Sequence, residues 1–350
     1  MKVVAVLYPG GKAADNPEVL GCAENALGLR EFLEGGAHEL VSTTEREGED
    51  LLEHLRDADV LITTPFWPVY VTREMLGEAE NLKLILTAGV GSDHVDLGEA
   101  AERGITVAEI TGSNTVSVAE HAAMQILVLV RNFIPAYNDI TGGGWSIGEI
   151  ASVSHDLEGK TVGIYGAGQI GQLIAHRLKP FDVNMLYFKR SRLGTVELLS
   201  LGIRYATLEE MTAECDVMVV AAPLTPETEG LFDRETLFAM KRGAHLVNIA
   251  RGAIVETDAL VEALEEGHLG GYAGDVWYPE PAPPDHRWRN MPRHALTPHV
   301  SGTTLEAQKR YAAGVRDSLE NFLQGEPIRD DFVMVSDGEI QSGSYKAIYD

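Results

Sequence analysis

Cysteine is almost missing from this 350-residue chain, which has two, Cys22 and Cys215, far apart in sequence. Such a pair builds neither a disulfide framework nor a CxxC metal motif. Basic residues are also scarce, 28 Lys and Arg against 53 Asp and Glu, for a formal net charge of −25. That balance argues against sequence-independent nucleic-acid binding, which needs a cationic surface, and against an anionic membrane surface as partner. The longest apolar run, "AAMQILVLV" at 122–130, falls well short of the ~20 residues of a membrane span. The N-terminal "MKVVAVLYPG" lacks the basic region, long apolar stretch and small-residue cleavage site of a signal peptide, and reads as a strand. A cytoplasmic protein is expected. No zinc or molybdenum ligand cluster is evident, so no metal is expected either.

What the chain does have is material for cores, with 45% hydrophobic and 23% charged residues. Its length suits two domains, at ~100–200 residues each. "KVVAVLY" (2–8), "HELVST" (38–43), "DVLITT" (59–64), "LKLILTA" (82–88) and "GITVAEI" (104–110) read as strands of one sheet. "KTVGIYG" (160–166) opens a second series, continued by "VNMLYF", "CDVMVVAA", "AHLVNIA" and "GYAGDVW". Segments such as "AENALGLREFLEGG" between them have helical spacing and a closing Gly. The alternation predicts an α/β protein of two Rossmann-like, doubly wound parallel-sheet domains with a cleft between them. The first is expected to be discontinuous, 1–114 with 301–350, and the second to span 115–300. A mostly apolar helix over 115–134 is expected to be buried between domains or subunits. An amphipathic one is expected over 303–325. Residues after about 335 show little periodicity and are expected to be loosely held.

"TVGIYGAGQIG" (161–171) carries G-x-G-x-x-G at Gly166, Gly168 and Gly171, after an apolar strand and before a helix. In that context the motif predicts dinucleotide binding. Gly166 allows a tight turn, Gly168 lets a pyrophosphate approach the backbone, and Gly171 lets helix and strand pack closely. About 20 residues further on, an NAD site usually places Asp or Glu on the ribose 2′-hydroxyl. This chain has Lys189, Arg190, Ser191 and Arg192. Cations there attract a 2′-phosphate, and Arg grips its oxygens in a fork. NADP is therefore expected to be preferred; NAD with incidental cations is the alternative.

"VNIARGAIV" (247–255) sets Arg251 at the carboxyl edge of a strand, and "TPHVSGTT" (297–304) supplies His299. Each alone could be structural. Beside a nicotinamide cofactor, Arg251 suits a carboxylate substrate and His299 becomes a candidate substrate contact.

At these residues the chain resembles the NAD(P)-dependent, metal-free formate dehydrogenases of the D-2-hydroxyacid dehydrogenase superfamily. The likeness runs from "VLYPGGKAADN" to about "GEPIRDDF", through "TTPFWPVYVT", "TGSNTVSVAEH" and "GYAGDVWYPEPAPPDHRWRNMP". "PFWP" with "GSN" narrows it to formate. The resemblance implies that Arg251 and Asn114 hold the formate carboxylate with a backbone group at Val90. It places His299 beside formate and nicotinamide, with Pro65 and Phe66 walling the pocket. Thr115, Gln169, Ile170, Pro223, Leu224, Thr225, Pro226, Glu227, Ile249, Asp275, Ser301 and Gly302 match cofactor-contact positions. A homodimer is implied too, with the 115–134 helix as a possible interface.

Four positions depart from the commonest family pattern: Lys189 for Asp, Gln169 for Arg, Ile249 for Thr, and Glu280 for the Gln paired with the active-site His. A carboxylate at 280 cancels a charge on His299 that Gln would leave bare, so activity tolerant of, or favouring, mildly acidic pH is expected. Glu280 also belongs to a rival reading, a 2-ketoacid or glyoxylate reductase using Arg251, Glu280 and His299 for acid–base work. A non-catalytic nucleotide-sensing protein on the same fold is a third.

Overall fold

Continuous apolar runs become strands whose central members are buried, as parallel sheets covered on both faces require. In the first unit these are β1 (Lys2–Val6), β2 (Glu39–Thr43), β3 (Val60–Thr63), β4 (Leu84–Thr87) and β5 (Thr106–Glu109), with β3 and β4 buried throughout. The second unit holds β6 (Thr161–Tyr165), β7 (Asn184–Phe188), β8 (Ile203–Tyr205), β9 (Val217–Val220), β10 (His245–Asn248), β11 (Gly271–Gly274) and β12 (His294–Leu296). The chain then returns to the first unit for β13 (Val333–Ser336) and β14 (Glu339–Ile340). The computed structural model describes residues 1–343, 345 and 346. By contacts the chain divides into Met1–Asn114 with Gly302–Asp350, and Thr115–Ser301, so Ser301 groups with the second unit.

The first sheet runs β14-β13-β5-β4-β3-β1-β2, parallel from β5 to β2, with the last two strands added antiparallel at one edge. The second runs β12-β11-β10-β9-β6-β7-β8 and is parallel throughout. Each order reverses direction once, between β1 and β3 and between β6 and β9. In doubly wound sheets the crevice beyond the carboxyl ends at that reversal takes ligands.

Several expectations change. "AENALGLREFLEGG" is not one helix: Leu27 takes φ 57°, splitting it into a short turn at Ala26–Gly28 and a helix at Arg30–Gly35. The 115–134 helix ends at Val130, because Asn132 is left-handed at φ 51° and starts a second helix, Phe133–Thr141. The C-terminal helix is Leu305–Gln324, capped by the Thr304 side chain and closed by left-handed Gly325. The segment after 335 is tied down as far as it is described: β14 pairs with β13, and buried Tyr345 accepts a hydrogen bond from Ser92 N at 2.9 Å. Residues 344 and 347–350 lie outside the described residues. Both cysteines are buried and free. Among the described residues no helix is long and apolar enough to cross a membrane.

Candidate active site

The turn after β6 is built around its glycines. Gly166 N and Ala167 N both donate to Phe188 O at 3.0 Å, tying the turn to the end of β7. Gly166 sits at φ 106°, and a Cβ there would fall 2.4 Å from Ala222 N, so the loops after β6 and β9 touch at the sheet's reversal point. A Cβ on Gly171 would meet Gly166 O at 2.4 Å, whereas one on Gly168 would meet nothing within 4 Å. Two glycines thus allow close packing and the third faces open space. The helix Gln169–Leu178 starts there, with Gln172 N donating to Gly168 O at 3.0 Å. The N–H groups of Gln169 and Ile170 precede that bond, at the end of a helix whose dipole favours an anion. This cradle fits the pyrophosphate of a dinucleotide.

β7 ends at Phe188 and leads into the cationic stretch. Lys189 is half-buried, while Arg190, Ser191 and Arg192 are exposed. Arg192 does not stand clear of the protein: its guanidinium lies 4.0 Å over the Tyr205 ring, a cation–π contact that fixes the side chain. Arg190 acts on Glu227, whose carboxyl is held below the usual range first by the Thr225 side chain and also by the Arg190 charge. The 223–227 loop is shaped by Thr228, whose hydroxyl accepts from Thr225 N and donates to Pro223 O, both at 2.8 Å. Pro223, Pro226 and Glu227 are exposed, Leu224 is half-buried and Thr225 is buried.

Past β10, buried Ile249 and Ala250 lead to Arg251, half-buried in extended conformation. Its Nη1 donates to Ala250 O at 2.8 Å, and Asn248 Nδ2 donates to Arg251 O at 2.9 Å. The next residue, Gly252, leaves no room for a side chain: a Cβ would lie 2.2 Å from the Trp277 carbonyl carbon. Trp277 N in turn donates to Glu280 Oε1 at 2.7 Å, and Glu280 Oε2 meets His299 Nδ1 at 2.8 Å. The structure therefore joins the Arg251 loop to the predicted Glu280–His299 pair.

His299 is 8% exposed and sits at φ 53°, a left-handed conformation uncommon for a residue with a Cβ. Asp275 holds it there. Fully buried, that carboxylate accepts from Thr297 Oγ1 at 2.6 Å and Val300 N at 2.9 Å on one oxygen, and from Ser301 N at 2.8 Å on the other. Asp275, expected as a cofactor contact, is thus also the tether of the 297–301 segment. Thr297 O accepts from the Trp277 indole at 2.9 Å, and its hydroxyl lies 3.1 Å from His121 Nε2. Burial pushes the His121 imidazole below its usual value, against the nearby Asp275 charge. With the Thr297 proton directed to Asp275, His121 is the donor. Thr297, Trp277 and His121 had not been singled out from the sequence; the only signal was a polar residue two positions before His299.

In the first unit the other expected residues come together. A Cβ on Gly302 would lie 2.6 Å from Asn114 Nδ2 and 3.0 Å from Phe66 Cε1; one on Gly89 would lie 2.9 Å from Pro65 Cδ. Asn114 is 5% exposed, and its Oδ1 has no hydrogen-bond partner among the described residues. Beyond half-buried Val90 the loop is fixed by the buried Glu109 carboxylate, which accepts from Gly91 N and Ser92 Oγ at 3.0 Å each. Thr115 opens the helix Thr115–Val130 of the second unit.

Residues 123–301 match the family described as D-isomer specific 2-hydroxyacid dehydrogenase, NAD binding domain. The chain is 51% identical over 343 residues to the mitochondrial formate dehydrogenase of Solanum tuberosum, covering 97% of this chain and 90% of that one. The solved formate dehydrogenase of Granulicella M. superposes with a TM-score of 0.93 at 46% identity, covering 97% of this chain and 99% of that one. The chain belongs to the formate dehydrogenase family. A second solved member, the NAD-dependent formate dehydrogenase of Staphylococcus aureus in complex with NAD, superposes at 0.90 with 48% identity, over 96% of this chain and 99% of that one. Among the described residues of this family member, no group of three or more His, Cys, Asp or Glu is placed to hold a metal ion.

Proposed function

We propose that this chain oxidises formate to carbon dioxide by direct hydride transfer to a nicotinamide dinucleotide, with NADP preferred to NAD. The observation that carries the reading is the wall at Pro65–Phe66, packed against Gly89 and Gly302, with the buried Asn114 Nδ2 beside Gly302. Bulk and rigidity there suit a substrate as small as formate. The Arg251 guanidinium and the Asn114 amide hold the carboxylate, with a backbone group at Val90. His299, oriented by Glu280 and Asp275, lies beside it. When bound, the nicotinamide ring accepts the hydride. Only a C–H bond breaks, so no residue has to remove a hydroxyl proton; the protein's task is to hold an anion in place and exclude water.

The NADP preference rests on Lys189 and Arg190 standing where NAD sites carry a carboxylate. Arg192, stacked on Tyr205, contributes less than the sequence suggested, and Glu227 competes for Arg190. Reduced-nicotinamide absorbance, followed with formate plus NADP and then NAD, tests both parts. Activity with NAD equal or greater overturns the preference. Turnover of glyoxylate or hydroxypyruvate above that of formate favours the reductase reading, which the 2.8 Å His299–Glu280 contact supports.

A homodimer is the assembly this reading implies. The 115–130 helix buries Val118, Ala122, Ile126 and Leu129 in its own unit. The helix also exposes Val116 and Met124, and a denser exposed apolar series follows it: Phe133, Tyr137, Ile140, Trp145 and Ile147. That series, continuing from the helix, is the proposed interface, and sedimentation of Trp145→Ser against wild type checks it.

A further inference from the structure

We infer that Tyr311 is a positioning residue that fixes the Phe66 wall and so makes the pocket selective for a one-carbon acid; the inference rests on the formate reading above. Phe66 is bounded by backbone on two sides. A Cβ on Gly89 would lie 3.4 Å from its Cε2, and one on Gly302 would lie 3.0 Å from its Cε1. The third side is a side chain. The helix Leu305–Gln324 turns Ala307, Gln308, Tyr311, Ala312 and Val315 inward, the spacing of one helical face. Tyr311, 1% exposed, places its ring centroid 6.1 Å from that of Phe66 at 37°.

The far end of Tyr311 is equally confined. A Cβ on Gly21 would fall 2.2 Å from the Tyr311 hydroxyl oxygen and 2.7 Å from that of Tyr8, so the missing side chain is the space both hydroxyls occupy. Gln308 clamps this arrangement: its Oε1 accepts from Gly21 N and its Nε2 donates to Thr303 O, each at 2.9 Å. Burial, with the Tyr8 hydroxyl beside it, pushes the Tyr311 hydroxyl well above the usual tyrosine value, so it stays neutral in this apolar setting. The ring can neither withdraw nor tilt freely. Phe66 therefore has no room to swing back and admit a second carbon.

The experiment compares wild type with Tyr311→Leu, Tyr311→Met and Tyr311→Phe in formate oxidation and glyoxylate reduction, with thermal melting in parallel. Tyr311→Leu should lower the ratio of formate to glyoxylate kcat/KM about tenfold, within the range one methylene of pocket space is worth. Tyr311→Met fills the volume without a rigid ring and serves if the Leu variant does not fold; its ratio should fall as well. Tyr311→Phe keeps the ring and should restore the wild-type ratio even if it melts lower. An unchanged ratio in the Met variant, or a Phe variant as altered as Leu, overturns the inference alone. A wild type without formate oxidation overturns the function above and this inference with it.

Discussion

Glu280 carries a negative charge where an amide could complete similar hydrogen bonds, to Trp277 N and to the His299 ring. For an anionic substrate that charge is unfavourable, since it offsets any positive charge on His299. Glu280→Gln should therefore lower the formate KM at neutral pH. A variant whose formate KM is unchanged would rule this out. Thr297 acts one step further from substrate. Thr297→Val removes the hydroxyl between His121 and Asp275, leaving Asp275 with its backbone donors and half-buried His121 without this partner, a loss of about 1 kcal/mol. If that loss falls on the His299 geometry, kcat drops about tenfold or more with little change in dinucleotide KM; a stability loss with kcat intact would make Thr297 merely structural. Arg251 and His299 could be singled out from the sequence because their chemistry is unusual beside a nucleotide motif, and Glu280 only through the family resemblance. Thr297 could not, because a threonine before a proline has many ordinary uses and only the fold sets its hydroxyl between a half-buried His and a buried Asp.

At the scale of elements, the glycine turn separates fold from function. Gly166 needs its positive φ and its closeness to Ala222, so Gly166→Ala should cost stability and cofactor affinity together. Gly168→Ala should melt like wild type, since its methyl would meet no protein atom within 4 Å. The same methyl would stand where the pyrophosphate is expected, raising the dinucleotide KM severalfold. A Gly168→Ala protein with unchanged KM would place the cofactor elsewhere. The apolar strands and this turn were readable because each is a local pattern. What was not readable depends on partners distant in sequence. Leu27 breaks a helical pattern through a left-handed φ that its residue type does not announce, and Asn132, a type that tolerates that φ, ends a helix within an apolar run. The tail after 335 looked unstructured because two short strands carry little periodicity, yet β13 finds the free edge of β5.

At the scale of the whole molecule, the net charge of −25 makes acid act in two opposing ways. Protonating carboxylates eases self-repulsion and favours the folded state. Against this, His245 is buried at the start of β10, where burial, then the neighbouring His155, push its imidazole down to about 4. In the unfolded chain the same group binds its proton near ~6.5. The unfolded state therefore holds more protons between those values, and stability is lost as pH falls through the window. Crossing the whole window costs on the order of a few kcal/mol. Denaturant unfolding at pH 7 and pH 5 should show the loss in wild type, reduced in His245→Gln, which retains a donor for the Asp216 backbone. Since charge relief is common to both proteins, the difference between their slopes isolates His245. Parallel slopes would mean that His245 gains its proton in the folded protein as easily as in the unfolded chain, and that acid sensitivity must arise from the carboxylates held low by partners, Asp59 beside Lys83 and Asp216 beside Lys241.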